Sequence, residues 1–248
     1  GHPVGGHQAM TGKVIGIGVG PGDPDLITVM GARLLSVASV VAYPAPEDGD
    51  SLARSIAAPH LPEGIQEIAI RMPLSANRFP VEAVYDNAAK KISNQLAQGD
   101  DVIVLCEGDP FFYGSFMYLF ARLAEKWPVE VVPGVSSLTA CAAVTGTALA
   151  ALNDVLTVLP APLPDETLRA QLTETDAAAI IKVGRHLPRI RSLLAELGLS
   201  GQARYIERAT MANQALGTLD DNDEDAAPYF SMILVHKRGT AWSGAGAQ

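Results

Sequence analysis

Apolar positions along the chain come in short bursts, each closed by glycine, proline or charge, and the bursts alternate between two spacings. Residues 13–19 are β-branched and end in glycines, the pattern of a buried strand. Leu26, Val29, Met30, Leu34 and Leu35 recur at helical spacing and predict a helix over residues 25–37. Residues 40–42 open a second strand, which Pro44 and Pro46 halt. Ser51 is placed to cap a short helix running to His60. Residues 65–70 read as a strand. Pro80 then opens a long helix to Leu96, stopped by Gly99. Strands at 101–106 and 129–132 flank a helix at 115–126.

After Pro133-Gly134 the alternation restarts. Helices are predicted at 136–145, 165–172 and 187–197, and strands at 155–159, 178–183, 205–207 and 230–236. Strand alternating with helix implies mainly parallel sheets covered on both faces. The expected fold class is therefore α/β, with two α/β domains at 11–132 and 133–238 that join near Pro133. Residues 1–10 are polar, lack the apolar core of a signal peptide, and read as a tail foreign to the fold. The Gly- and Ala-rich residues 239–248 read as a frayed end.

Composition narrows the function. A hydrophobic content of 48% and a charged content of 18% describe an ordinary globular chain. No apolar run approaches the roughly 20 residues of a membrane helix. The net charge of −9 argues against nucleic acid as a partner. The excess is concentrated at Asp220, Asp221, Asp223, Glu224 and Asp225, which reads as a solvated loop. Cys106 and Cys141 sit in apolar segments without metal-ligand spacing, so no metal site and no disulfide is expected, and the location is expected to be cytoplasmic.

Three motifs sit where strands end. The first, Gly16-Ile-Gly-Val-Gly-Pro-Gly-Asp23, has glycines that let backbone approach a ligand or simply make a tight turn. It fails the dinucleotide fingerprint, because Pro21 or Asp23 falls at the third glycine and residues 40–46 hold no ribose-binding acid. The second, Glu107-Gly-Asp-Pro-Phe-Phe-Tyr-Gly114, offers Glu107 and Asp109 to a hydroxyl or cation. Its Phe111, Phe112 and Tyr113 could face a flat ring or fill core. The third, Val132-Pro-Gly-Val-Ser-Ser137, holds two hydroxyls, one of them suited to cap a helix. A nucleophile elbow and a metalloprotease helix are both absent from the sequence. A reaction that depends on aligning two partners, such as methyl transfer from a sulfonium, suits this set.

These motifs, in this order, resemble the tetrapyrrole methylase family over about residues 13–238. Tyr43-Pro-Ala-Pro46, the stretch from Leu105 to Tyr118, and Glu207-Arg-Ala-Thr-Met211 resemble its branch acting at C20 of precorrin-2. The resemblance implies two α/β domains with a cofactor cleft between them, usually in a homodimer, and S-adenosylmethionine as cofactor. Matched by motif, the implied cofactor contacts are Pro21, Glu107, Gly108, Asp109, Phe112, Ser136 and Ser137. Val183 stands where relatives often carry Met, and Ala209 where they often carry Gly. Ser231 and Met232 match the segment lining the adenine. The implied product is precorrin-3A. Arg71, Arg78, Arg185, His186 and Arg208 are candidates to meet the carboxylates of the tetrapyrrole, since Arg pairs with carboxylate in a bidentate fork. Tyr113 is the candidate ring-facing, positioning residue. Three other readings stay open: C20 methylation of cobalt-factor II, a non-catalytic tetrapyrrole carrier, and a nucleotide-dependent oxidoreductase, which the loop spacing disfavours.

Overall fold

A computed structural model describes residues 11–73, 81–220 and 222–238. The chain divides into two compact units, one ending at Ser136 and the next beginning at Ser137. The expected tails at 1–10 and 239–248 lie outside the described residues.

The first unit carries a five-stranded sheet in the order β3-β2-β4-β1-β5. Its strands are β1 (Val14–Gly18), β2 (Val40–Pro46), β3 (Gln66–Met72), β4 (Val102–Cys106) and β5 (Val129–Val132). Every pairing among them is parallel. Parallel strands are buried on both faces, which is why β1 and β4 are apolar or glycine throughout. Helices α1 (Val29–Ser36) and α2 (Leu52–Ala57) close one face over Ile15, Ile17, Val41, Ile103 and Leu105. Helices α3 (Val81–Ala97) and α4 (Phe116–Leu123) close the other over Val14, Val40, Val102 and Val104.

Two expectations needed correction in this unit. The helix expected over 25–37 breaks in two. Pro24–Leu26 form a single 3₁₀ turn, Ile27 is extended, and α1 begins only at Val29. The Thr28 hydroxyl decides this by accepting the Gly31 N–H at 3.0 Å, which satisfies a donor of the first turn. The restart rotates the helix, so Val29 and Met30 end up exposed, and Gly31 and Leu35 are buried instead. Strand β2 likewise runs through both prolines. The Gln66 N–H donates to the Ser39 carbonyl, so odd-numbered residues of β2 turn their N–H groups towards β3. Pro44 and Pro46 therefore place their missing donors on the opposite side, where pairing with β4 has ended at Ala42.

The second unit carries β6 (Leu156–Pro160), β7 (Ala177–Ile181), β8 (Ala203–Glu207), β9 (Ala215–Gly217) and β10 (Ser231–His236) in the order β6-β7-β10-β8-β9. Only β6 and β7 pair in parallel, and the other three pairings are antiparallel. This sheet is mixed because β10 returns between β7 and β8. Strand β9 was not anticipated. It has three residues and an exposed Leu216, too little apolar pattern to register. Helices α6 (Asp165–Glu174) and α7 (Leu187–Glu196) pack on one face with Leu168, Ile190 and Leu194. Helix α5 (Ser137–Thr145) covers the other with Cys141, beside Ile206, Met232 and Leu234. Both cysteines are buried and free, and burial pushes the Cys141 thiol up to about 12. Among the described residues no helix is long and apolar enough to cross a membrane.

A buried polar cluster ties the last strand to the loop before β6. Asp154 Oδ2 accepts the Ala151 N–H at 2.9 Å, accepts His236 Nε2–H at 3.0 Å, and pairs with Arg238. His236 Nδ1 accepts the Arg238 N–H, which assigns the other ring nitrogen as the donor. These bonds favour the carboxylate, the Ala151 amide most, and hold Asp154 below its ordinary range. A depressed carboxylate stabilises the fold above its unfolded pKa, about 4, and the contribution is lost as pH falls below that value. Asp154→Asn is therefore expected to lower the melting temperature at pH 7 and to make the decline between pH 4 and pH 2 shallower than in the wild type, as measured by thermal denaturation across that range.

Candidate cofactor and substrate site

The first unit builds its site from strand topology. The segment after β1 runs to α1 on one face of the sheet, while that after the adjacent β4 runs to α4 on the other. Neighbouring strands whose connections part to opposite faces leave a crevice at their carboxyl ends, where open α/β sheets place ligands. The loops after β1, β4 and β5 carry the three motifs, so all three motifs meet at this crevice.

Their glycines serve mutual packing. A Cβ on Gly18 would lie 2.5 Å from the Gly108 carbonyl oxygen and 2.8 Å from the Gly134 Cα. One on Gly134 would lie 2.0 Å from that same oxygen, and one on Gly16 would enter the Phe116 ring at 2.6 Å. Gly20 and Gly108 exchange N–H···O bonds of 3.2 and 2.8 Å across an isolated antiparallel bridge. Asp109 completes the lock. Its Oδ1 accepts the Gly134 N–H at 2.9 Å and its Oδ2 accepts the Phe111 N–H at 3.0 Å. Asp109 thus joins the β4 and β5 loops, and each oxygen keeps one lone pair for a ligand. Sequence alone does not single out Gly134, because the Pro-Gly pair that carries it reads as a boundary between domains.

Phe111 packs on Phe116 and Phe120, with ring centroids 5.8 and 5.3 Å away. Phe112 and Tyr113 meet edge to face at 5.1 Å and are 36% and 50% exposed, so neither fills core. Tyr113 holds a left-handed φ of 53°, which costs a non-glycine residue about 1 kcal/mol or more. Glu107 directly follows β4. It is half-buried, and burial raises its carboxyl above the ordinary range. Pro21 is buried at the β1 loop, and Ser136 lies just beyond Gly134, near Gly108.

The second unit gathers its candidates at one end of its sheet. Val183 follows β7, Ala209 follows β8, and Ser231 and Met232 begin β10 between them. Ser231 pairs with Glu207, and the Arg208 N–H donates to the Phe230 carbonyl at 2.7 Å. The side chains of Val183, Ala209 and Met232 are all buried, Val183 beneath α7 and the other two beneath α5. Any contact that Val183 makes with a ligand is therefore through its backbone. Lys182, Arg208 and Thr210 hold left-handed φ values of 56°, 48° and 70°. Such strain in non-glycine residues gathers at ligand clamps, and here it brackets Val183 and Ala209. The carboxylates and Ser136 hydroxyl of the first unit, and the Ser231 hydroxyl and irregular backbone of this one, each have a chemistry that fits part of S-adenosylmethionine, whose polar groups are amine, carboxylate, hydroxyls and adenine edge. Lys182 was missed because nothing in its type marks a strained turn.

The candidate cations separate. Arg185 is exposed after β7, and Arg208 is half-buried beside Glu207 at 3.4 Å. Arg71 gives Nη1 to the Pro46 and Gly49 carbonyls at 3.0 and 2.9 Å, which leaves its other guanidinium nitrogens for a carboxylate. Arg78 lies outside the described residues. His186 is disfavoured as a cation. Its pKa is lowered by burial and by Arg189 and Arg185, and its Nδ1 accepts from Arg189 Nη2 at 3.1 Å. No group of His, Cys, Asp and Glu among the described residues is arranged to hold a metal.

The family of Tetrapyrrole (Corrin/Porphyrin) Methylases matches residues 13–221. The chain is a tetrapyrrole methylase. This methylase is 40% identical over 232 residues to a precorrin-2 C(20)-methyltransferase of Sinorhizobium sp, covering 90% of this chain and 95% of that one. It is 34% identical to the cobalt-precorrin-2 C(20)-methyltransferase of Salmonella typhimurium (strain LT2), covering 92% of this chain and 98% of the relative. Among solved structures, the cobalt precorrin-4 methyltransferase CbiF is similar, with a TM-score of 0.69 at 25% identity over 90% of this chain and 94% of that one. A uroporphyrin-III C-methyltransferase from Thermus thermophilus, solved with S-adenosylhomocysteine, shares the fold at a TM-score of 0.65 and 21% identity over 91% of this chain and 92% of that one. The two-sheet architecture of this methylase agrees with the α/β fold expected from its sequence.

If the glycine lock organises the site, a methyl group inside it is not tolerated. Gly134→Ala, whose Cβ falls on backbone, is expected to cost about 2–3 kcal/mol in urea unfolding. Gly201→Ala, with nothing within 4 Å, should stay within about 0.5 kcal/mol of the parent.

Proposed function

We propose that this chain transfers a methyl group from S-adenosylmethionine to C20 of precorrin-2, giving precorrin-3A in cobalamin biosynthesis. The observation that carries this reading is the 40% identity, almost end to end, to the Sinorhizobium precorrin-2 C(20)-methyltransferase. The crevice after β1, β4 and β5 would hold one part of the cofactor, through Pro21, Glu107, Gly108, Asp109, Phe112 and Ser136. The strained end of the second sheet would hold another, through Val183, Ala209, Ser231 and Met232, with Ser137 at the start of α5. S-adenosylmethionine supplies the methyl on a positively charged sulfur. The chain's own part is alignment, which in favourable cases is worth about 7–11 kcal/mol of barrier. A homodimer is the expected working form, on the strength of the family resemblance, and a cytoplasmic location is expected from the two free cysteines.

Arg71, Arg185 and Arg208 are the proposed partners of the tetrapyrrole carboxylates, and Tyr113 the residue that faces the ring. A second reading is favoured by the 34% identity to the Salmonella enzyme, namely that the substrate carries cobalt. A carrier role is disfavoured by the complete set of cofactor motifs, for which a carrier has no use.

Anaerobic incubation with S-adenosylmethionine and either precorrin-2 or cobalt-factor II separates these readings by the mass of the product. One added methyl on precorrin-2 alone is expected. Methylation of cobalt-factor II alone would reverse the substrate, and methylation of neither would sink the C20 reading. Under the same conditions Arg208→Ala should raise KM about tenfold or more, the loss of one charge-assisted pair. An unchanged KM would remove Arg208 from the substrate site.

A further inference from the structure

Methylation at C20 replaces a hydrogen. The C20 carbon bonds to the methyl carbon, and the methyl–sulfur bond breaks with its electron pair remaining on sulfur. The C20–H electron pair then returns to the ring as the proton departs. Something must take that proton, so each ionisable group at the crevice of the first unit comes into question. Asp109 is committed to two backbone amides, one on each carboxylate oxygen, and holds two loops together. Cys106 is buried, and burial keeps its thiol protonated. Asp23 spends an oxygen capping the 3₁₀ turn through the Asp25 N–H. Tyr113 carries a phenol, whose oxygen is a weaker acceptor than a carboxylate.

Glu107 differs from all of these. It occupies the first position beyond β4, the central strand, which lies between β1 and β2, at the point where the connections part. Among the described residues no cationic side chain pairs with it and no side chain hydrogen-bonds to it, and only its own amide acts on the carboxyl. A half-buried carboxylate without a counter-charge is costly and is ordinarily kept for a ligand or a reaction.

We propose that Glu107 accepts the proton released from C20, which makes it a catalytic residue. This rests on the C20 reading given above. Burial also raises its proton affinity, which improves it as a base near neutral pH. A base in reach of C20 must also lie beside the sulfonium; the cofactor contact proposed above is then made by the Glu107 backbone, which Glu107→Gln leaves in place, while the carboxylate serves the proton.

The test uses the full chain and three readouts. Glu107→Gln preserves shape and removes the base. It is expected to lower kcat on precorrin-2 by about 10²–10⁴ while leaving the Kd of S-adenosylhomocysteine, measured by calorimetry, within threefold. Deuterium at C20 should slow the variant several-fold more than it slows the parent, because proton removal becomes limiting. Glu107→Asp, which keeps a carboxylate on a shorter arm, should recover part of the rate. A kcat within threefold of the parent would overturn the proposal, as would an equal loss of S-adenosylhomocysteine affinity, which would make Glu107 a cofactor residue only. Parent protein inactive on both tetrapyrroles would instead overturn the C20 reading, so the two failures are distinguishable.

Discussion

The contact among Gly18, Gly108 and Gly134 is the constraint on which the first unit's site depends. Three loops leave three adjacent parallel strands, and each would be an independent connection if a side chain stood at any of these positions. Without side chains, the backbones close to van der Waals range and the Gly108 carbonyl sits between the other two glycines. Asp109 then fastens the closed arrangement through two amides. Everything said to face a ligand here is presented by this junction: Glu107 immediately before it, the aromatic turn immediately after it, and Ser136 just beyond Gly134. The rigidity suits a reaction whose barrier falls mainly by alignment.

The second unit reaches a similar end by a different route. Its candidate contacts sit on strands of opposite direction, and β10 between β7 and β8 brings Ser231 and Met232 beside Val183 and Ala209. Buried side chains beneath α5 and α7 hold the backbone, and three left-handed non-glycine residues shape it. Packing supplies here what glycine supplies in the first unit.

The alternation of apolar bursts made most of the fold legible, because a buried parallel strand has no polar face with which to confuse the pattern. It misled where one atom decides the geometry. Thr28 has a hydroxyl that stops and restarts a helix, and counting apolar residues from Leu26 cannot register that. Pro44 and Pro46 are strand breakers only if their nitrogens face a partner, which depends on where β4 ends. At the site, motif order located the three loops correctly at strand ends, but it could not tell a glycine that cradles a ligand from one that admits another loop. His186 was a candidate to meet a carboxylate, but burial, and then the neighbouring Arg189 and Arg185, lower its pKa and disfavour the charged ring.

The two prolines of β2 have a further result. Beyond Ala42 the strand offers carbonyls but no N–H groups on the side that β4 has vacated. The carbonyl of Pro44 receives the Ser51 hydroxyl at 2.6 Å, and that of Pro46 receives Arg71. A strand lacking donors cannot template a second backbone, so this flank neither slides into an incorrect register nor recruits a strand from another molecule. The enzyme can thus keep an open notch in the middle of a sheet without making it a seed for aggregation.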